Sequence, residues 1–451
     1  MTPDLLIVGA GPAGISAAIE ARAHALSVLL LDENAAPGGR IWQALEARGA
    51  QDQDDAGGLQ TLHAFRACGA NARWCAGVWA IEPDDGTVFW SQAATAHAAR
   101  AAFVLLCTGA TERPMPLPGW TLPGVMTVGA AQIALKTSGL LPTGATWIAG
   151  QGPLPMLYAA QTLRAGGRLA GILDLSDGIA PLRALRHLPA ALRNSSDIAK
   201  GLAWRRAIAR AGVPWLSATA LRAQGDGVLQ RITFRAGNRD RSENADLLLL
   251  HDGIIPSVQI TRALGCAHLW DGGQHCWKPK VDAWGVTSLP NILVAGDGAG
   301  IGGARAAALS GRIAALYAAQ ALGRIDVATR DAAAAPLRAA QARQRALRPL
   351  LEALYAPRPR LLDDAATVCR CEEVTAAQIR DAASLGCLGL NQLKAFTRCG
   401  MGPCQGRMCG SSAAEVLAAA RGVPVAAIEP YRTRFPTKPL TVGELAAMAT
   451  E

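Results

Sequence analysis

Two sets of residues in this chain have the types and spacing for chemistry. The first is Gly9-x-Gly11-x-x-Gly14, with Pro12 and Ala13 inside it, followed 18 residues later by Asp32 and Glu33. Gly9 permits a tight turn, Gly11 lets the backbone approach a pyrophosphate, and Gly14 lets a helix lie close to a strand. The acids then stand where a carboxylate would accept ribose hydroxyls. By itself this pattern reads only an ADP half, so FAD, NAD and a free adenine nucleotide all satisfy it. The second set is sulfur: Cys369-x-Cys371, then 32 residues, then Cys404-x4-Cys409. Thiolates paired at short spacing suit an iron–sulfur centre or zinc, and the CxxC knuckles that zinc prefers are absent. Cys399 repeats the x4 spacing to Cys404, so a competing ligand set exists.

The elements needed to position these groups are legible. Residues 4–33 read as an apolar strand, a glycine turn, an alanine-rich helix and a second apolar strand, a complete βαβ unit with its helix N-terminus facing the phosphates. Residues 145–167 repeat the plan with Gly150 and Gly152, but Pro155 stands at the third glycine position and removes an N–H. Asp174 follows the next apparent strand, with no arginine suited to a 2′-phosphate, so an NAD-type fold is expected in which NAD(P) binding is not. A further strand runs into Gly296-Asp297-Gly298 and a helix, over 291–316. Thr375 is placed to cap a short helix, and 390–398 suggests another, so the thiols fall on loops between helices.

Length and composition bound the rest. At 451 residues, two or three cores are expected. Half the residues are apolar and 18% are charged, which excludes disorder. No uncharged apolar run reaches the ~18 residues of a spanning helix. The excess of 44 basic over 35 acidic residues is dispersed, and only 5% of residues are aromatic, so nucleic-acid binding is set aside. Arg338, Arg343, Arg345 and Arg348 are read as the solvated face of one helix. The fingerprint begins at Gly9, which leaves no room for a leader, so a cytoplasmic location is expected, at most peripheral to an inner membrane through partners. Eleven cysteines are then metal or redox groups or buried thiols rather than disulfides, with Cys387 taken as a buried small hydrophobe. No CxxC occurs in residues 1–360 and the histidines show neither HxH nor HExxH spacing. His251, after the run LLLL, is a candidate neighbour of a flavin. Trp270, Trp277 and Trp284 recur every seven residues and are assigned to core packing, an interface between chains being the alternative.

Several segments resemble flavoproteins with two dinucleotide-binding domains. The segment 35–40, with Gly39 and Arg40, is similar to one that those proteins place beside the flavin. Thr108-Gly109 is similar to their crossover, and Gly296-Asp297 to the motif whose aspartate meets the ribitol. Residues 397–409 resemble the bacterioferritin-associated-ferredoxin type of [2Fe-2S] domain, in which position 399 accepts a non-ligand. That resemblance favours Cys369, Cys371, Cys404 and Cys409 as the ligands. Nearly the whole chain is similar to the FAD- and [2Fe-2S]-containing α subunit of heteromeric opine oxidases and D-hydroxyproline dehydrogenases, to which a hydrogen cyanide synthase subunit is related.

The resemblance implies an α/β flavoprotein carrying a small α-rich [2Fe-2S] domain. Residues 1–118 and 285–325 would bind FAD, 119–284 form an NAD(P)-binding-like domain, 326–364 a helical connector, 365–425 the cluster domain and 426–451 a tail. It implies electron relay from an amine-oxidase-like β subunit that oxidises a C–N bond, and leaves room for an interfacial FMN and a small third subunit. No catalytic acid, base or nucleophile stands out in this chain, and the electron acceptor is not named. The competing readings are a standalone NAD(P)H-dependent reductase and an assembly subunit holding an adenine nucleotide.

Overall fold

A computed structural model describes residues 2–176, 180–357 and 362–448. Leu5–Val8, buried throughout, is the middle of a five-stranded parallel sheet in the order Ile292–Val294, Phe103–Leu106, Leu5–Val8, Val28–Leu31, Asn71–Arg73. Strands covered on both faces read as unbroken apolar runs, as the first four of these do, whereas the edge strand Asn71–Arg73 is polar and largely exposed. The fingerprint helix Pro12–Ala23 lies on one face against Ala304–Ala321, and alanines from both fill the core between them. Their approach is close: a Cβ on Gly311 would stand 2.0 Å from the Ala13 carbonyl oxygen. This contact ties the two ends of the first half together across nearly 300 residues.

The second half repeats the scheme, with a parallel sheet ordered Trp215–Ser217, Gly171–Asp174, Thr146–Gly150, Leu247–His251, Val125–Thr127. Each half also carries a three-stranded antiparallel sheet, within 77–100 and 219–244 respectively. The short pair Ala110–Glu112 and Ile254–Pro256 forms the double crossing between halves.

The arginine-rich connector is two helices, Val327–Arg345 and Arg348–Leu354, rather than one; Arg343 and Arg345 are exposed as expected, but Arg338 and Arg348 are partly buried and engaged. Arg338 lies 3.9 Å and Arg330 4.1 Å from the Trp284 ring centroid, on a ring that also meets Tyr317. Arg348 bonds Glu352, one turn on. Pro336 sits inside the first helix and Pro349 opens the second; Pro357 is described, whereas Pro359 lies outside the described residues. The seven-residue tryptophan spacing is incidental. Trp270 and Trp277 are cross-strand partners on the hairpin His268–Asp271/Cys276–Pro279, 5.8 Å apart and edge-on, while Trp284 belongs to the connector contact.

The C-terminal region has its own core, built on the hairpin Thr367–Cys369/Val374–Thr375 and the helices Ala376–Ser384, Leu390–Thr397 and Gly410–Arg421. Thr375 and Gln378 form a reciprocal capping box that starts the first of these helices. Cys387 is fully buried in this core. The final described segment returns to the first half: Thr437 N–H donates to the Trp79 carbonyl at 2.8 Å, and Phe435, Leu440 and Met448 pack beside Trp79.

Candidate functional site

A cavity of about 870 Å³ runs between the two halves. Gly9, Gly11, Pro12, Ala13, Asp32, Glu33, Gly39, Arg40, Thr108, Gly109, Gly296 and Asp297 all line it, while Gly14 lies behind the turn. The glycines are required sterically at two points. Gly9 has φ +106°, and a Cβ there would meet the Cys107 carbonyl at 2.4 Å; a Cβ on Gly14 would lie 1.9 Å from the Gly9 carbonyl. Gly11 leaves open space at the cavity wall, at the start of the fingerprint helix where backbone amides and helix dipole favour an anion.

The acids have distinct duties. Asp32 is buried and accepts from the Ala10 amide and, at 2.7 Å each, from the Asn34 backbone and side-chain nitrogens, so it braces the turn from behind. Glu33 is the more exposed carboxylate and pairs with Lys438 from the C-terminal segment. Burial alone would raise its pKa, but Lys438, Arg40 and Arg407 outweigh that and hold it below the ordinary glutamate value. Asp297 Oδ1 accepts from the Gly302 and Gly303 amides at 2.8 and 2.9 Å, fixing the loop that opens Ala304–Ala321. Thr108 Oγ1 donates to the Ser257 carbonyl at 3.2 Å and pins one half to the other. Cys107, fully desolvated, has its thiol pKa raised far above ordinary values and is inert at the floor.

The second glycine turn opens on the same cavity, which there is lined by Gln151, Gly152 and Pro153 but also by Tyr355 and Pro357 of the connector. Gln151 Nε2 donates to Asp252 Oδ1 at 3.2 Å and to the Ala356 carbonyl at 3.3 Å, which holds the connector against this turn. Asp174 is engaged by the Ser176 amide at 2.9 Å and Trp215 Nε1 at 3.1 Å. Between the halves, His251 Nδ1 meets Glu112 Oε1 at 2.6 Å, and Glu112 Oε2 accepts from the Gly129 amide at 2.7 Å. His251 is only 3% exposed. The sequence pointed to His251 without its partner, because Glu112 lies 139 residues away.

In the C-terminal domain the Sγ atoms of Cys369, Cys399 and Cys409 all lie within 4.8 Å of one another, each buried. Cys371, exposed, shares a thiol hydrogen bond with Cys404, and Cys369 shares one with Cys409. The buried cluster thus contains two of the four cysteines favoured from sequence, Cys369 and Cys409, together with Cys399, which the sequence reading had set aside, whereas Cys371 and Cys404 lie outside that cluster and close to each other. Burial, with Cys409 next to it, raises the Cys369 thiol pKa, and the hydrogen bond that Cys409 donates to Cys399, with burial, raises that of Cys409. A soft cation would relieve this crowding by taking the thiolates as ligands, so the donor set fits an iron–sulfur group. Tyr431, 5% exposed, donates its hydroxyl to Cys399 Sγ at 3.2 Å. Its ring fills a slot where a Cβ on Gly400 or Gly406 would come within 2.6 and 2.5 Å. Arg407 and Met408, just before Cys409, also line the large cavity.

Comparison with known proteins gives two family matches: the pyridine nucleotide-disulphide oxidoreductase family over residues 3–323, and the sarcosine oxidase A3 domain over 365–449. The first is a flavoprotein family and supports FAD as the cavity's occupant. The opine oxidase A subunit of Rhizobium meliloti (strain 1021) is 40% identical, with 98% of each chain covered. The corresponding opine oxidase protein of Agrobacterium tumefaciens (strain Ach5) is also 40% identical, over 98% of this chain and 91% of that one. The HcnB subunit of hydrogen cyanide synthase from Pseudomonas aeruginosa is 32% identical over 99% of both. Among solved structures, L-proline dehydrogenase from P. horikoshii superposes with a TM-score of 0.73 over 99% of this chain and 79% of that one. Thioredoxin reductase of T. acidophilum gives 0.51 over 71% and 99%. Both are 19% identical and speak to the fold alone. No helix among the described residues is long and apolar enough to cross a membrane.

Proposed function

The chain belongs to the pyridine nucleotide-disulphide oxidoreductase family and to that of the opine oxidase A subunits; from that premise we propose that it is the FAD- and [2Fe-2S]-binding, electron-relaying subunit of a heteromeric dehydrogenase or oxidase. Its complex would act on the C–N bond of an amino-acid derivative of the opine or D-hydroxyproline type. The substrate would be oxidised on an amine-oxidase-like β subunit, with room for an FMN at the interface and for a small third chain, in the cytoplasm. The observation that carries this reading is that one cavity is lined by the flavin motifs and also by Arg407 and Met408, the residues leading into Cys409.

When bound, a flavin exchanges two electrons and a [2Fe-2S] centre one, so the pair suits stepwise relay. The protein's own contribution is positioning. The turn at Gly9–Gly14 would offer amides and a helix dipole to the pyrophosphate, and Asp32 and Glu33 would receive the ribose hydroxyls. Asp297, on its braced loop, would face the ribitol, with Gly39, Arg40, Thr108, Gly109 and Gly296 shaping the walls. Cys369, Cys371, Cys404 and Cys409 would hold the iron. Residues 1–118 with 285–325, 119–284, 326–364, 365–425 and 426–451 would be the corresponding working units. Against a standalone NAD(P)H reductase stand Pro155 and the connector residues Tyr355 and Pro357 at the second turn.

Anaerobic visible spectra before and after dithionite, followed by co-expression with the partner chain, test the proposal. Flavin and cluster absorption that both bleach, with dye-linked activity only in the complex, is the expected result. A colourless protein, or full activity from this chain alone, would overturn it.

A further inference from the structure

One segment turns its largest side chains outward. Residues 180–194 form four short helical pieces, Ala180–Ala184, Leu185–His187, Leu188–Ala191 and Leu192–Asn194, which run into the helix Ser195–Arg210. Inward, this run presents Ala184, Ala191 and Asn194, all buried. Outward, Leu182, Leu185, Leu188 and Leu192 are 40 to 73% exposed, and Leu202 on the following helix is 50% exposed. A surface helix ordinarily does the reverse, with its leucines facing the core. Resting on the heteromeric reading above, we propose that this face seats the substrate-oxidising partner chain, and that the partner meets it with a surface combining apolar pockets and acidic side chains.

The charges of the face define the occupant. Arg183, Arg186 and Arg193 are exposed among the leucines, and Arg205, Arg206 and Arg210 are exposed along the next helix. Residues 180–210 hold seven basic residues against one acid, a net +6 of the chain's +9, so the basic excess is less dispersed than its composition suggests. The one acid, Asp197, is already engaged by Asn194 Nδ2 at 2.8 Å and by Lys200 Nζ at 3.4 Å. A second copy of this chain would set +6 against +6 across a two-fold contact, which like-charge repulsion opposes. An amphipathic helix lying on a bilayer sorts its cations and its leucines to opposite faces. Here both share the outward side, because Ala184 and Ala191 hold the inward one. Apolar groups interleaved with charged ones make a protein–protein interface, and leucines exposed at this density mark one.

Position ties the face to the redox site. The short helical pieces pack on the connector helix Arg348–Leu354, whose Arg348, Leu351 and Glu352 line the large cavity. Trp204 of the longer helix lines it as well. A chain seated on the leucines is therefore separated from the cavity wall by about one helix diameter, roughly 10–12 Å. That is a place from which a substrate-oxidising chain can hand electrons over.

The test uses the full chain with its cofactors and the separately purified amine-oxidase-like chain, their affinity being measured by biolayer interferometry at low and high salt. The double variant Leu185→Ser, Leu192→Ser should weaken binding about 10- to 100-fold, each buried anchor being worth about tenfold. The double variant Arg186→Glu, Arg193→Glu should slow association and flatten its dependence on salt. Leu140→Ser, at a leucine exposed beyond the helix Val128–Ser138, should bind as wild type does. All these side chains are exposed, so urea midpoints and the content of FAD and iron should match wild type; should the leucine pair not fold, the charge reversal carries the test. Unaltered affinity in both double variants would overturn the inference, as would an equal loss in Leu140→Ser. It would also fall if wild type bound vesicles of phosphatidylglycerol and phosphatidylcholine through these leucines while the partner bound both double variants normally, since the face would then be a membrane contact. Failure of the wild-type chain to bind the partner at all would overturn the heteromeric reading itself, and this is seen before any variant is made.

Discussion

Replacing Gly11 by alanine separates what the fingerprint does for folding from what it does for a cofactor. The three glycines differ sharply in their surroundings. Built Cβ atoms on Gly9 and Gly14 would lie 2.4 and 1.9 Å from carbonyl oxygens, whereas one on Gly11 meets nothing within 4 Å. Gly11 also has φ −78°, which alanine adopts freely, so Gly11→Ala should leave the cofactor-free protein unchanged or about 0.4–1 kcal/mol more stable. The open space beside it belongs to the cavity, where the pyrophosphate must approach the backbone. An added methyl there amounts to overpacking, about 1–3 kcal/mol, so FAD affinity should fall roughly 5- to 150-fold. Urea unfolding of the cofactor-free protein gives the first quantity, and fluorescence titration with FAD the second. Gly14→Ala is the control and should lower the unfolding midpoint before any ligand is added. FAD binding undiminished in Gly11→Ala would refute the placement of the phosphates, and a large loss of stability would refute the reading of that space as empty.

Cys404→Ser should abolish iron binding, whereas Cys387→Ser, buried away from the other thiols, should retain iron at a stability cost on the order of 1 kcal/mol; iron assay with denaturant titration checks both. Mixing with NADH or NADPH in a stopped-flow instrument should leave the flavin oxidised over seconds, since Tyr355 and Pro357 occupy the wall beside Gly152; rapid bleaching would contradict this. His268 supplies a pH dependence. Burial, then the charge of Arg262, hold its pKa down to about 4 against a hydrogen bond to the Cys266 carbonyl that raises it. The unfolded chain takes up this proton near pH ~6.5 and the folded one only near 4, so stability should fall as pH drops through that window and level off below it. His268→Gln should flatten this part of a plot of urea midpoint against pH.

What could be read from sequence was whatever a single residue type must satisfy locally. Gly9 and Gly14 are demanded by carbonyls a few ångströms away, and the run at 292–294 could be joined to the first sheet because Gly296-Asp297 after it resembles a flavin motif. Thr375 announced its helix through a capping box that spans four residues. Arg338 misled because a charged stretch looks solvated until its tryptophan is placed, and Trp284 lies more than 50 residues upstream of it. The same limit hid the pairs that join the units: Glu112 with His251 and Lys438 with Glu33 span 139 and 405 residues and carry no periodicity.

Cys399 shows the limit most clearly, since spacing gave Cys399-x4-Cys404 and Cys404-x4-Cys409 equal standing. The structure adds a third partner, Tyr431, which is 32 residues from Cys399 and 22 from Cys409 in sequence but 3.2 and 4.0 Å from their sulfurs. A residue's role at such a centre is therefore set by what stands behind it as much as by its own chemistry. Among these thiols Cys371 is exposed to solvent, Cys404 is half-buried and Cys399 lies in the domain core. Any redox partner reaching these thiols from outside would meet Cys371 first.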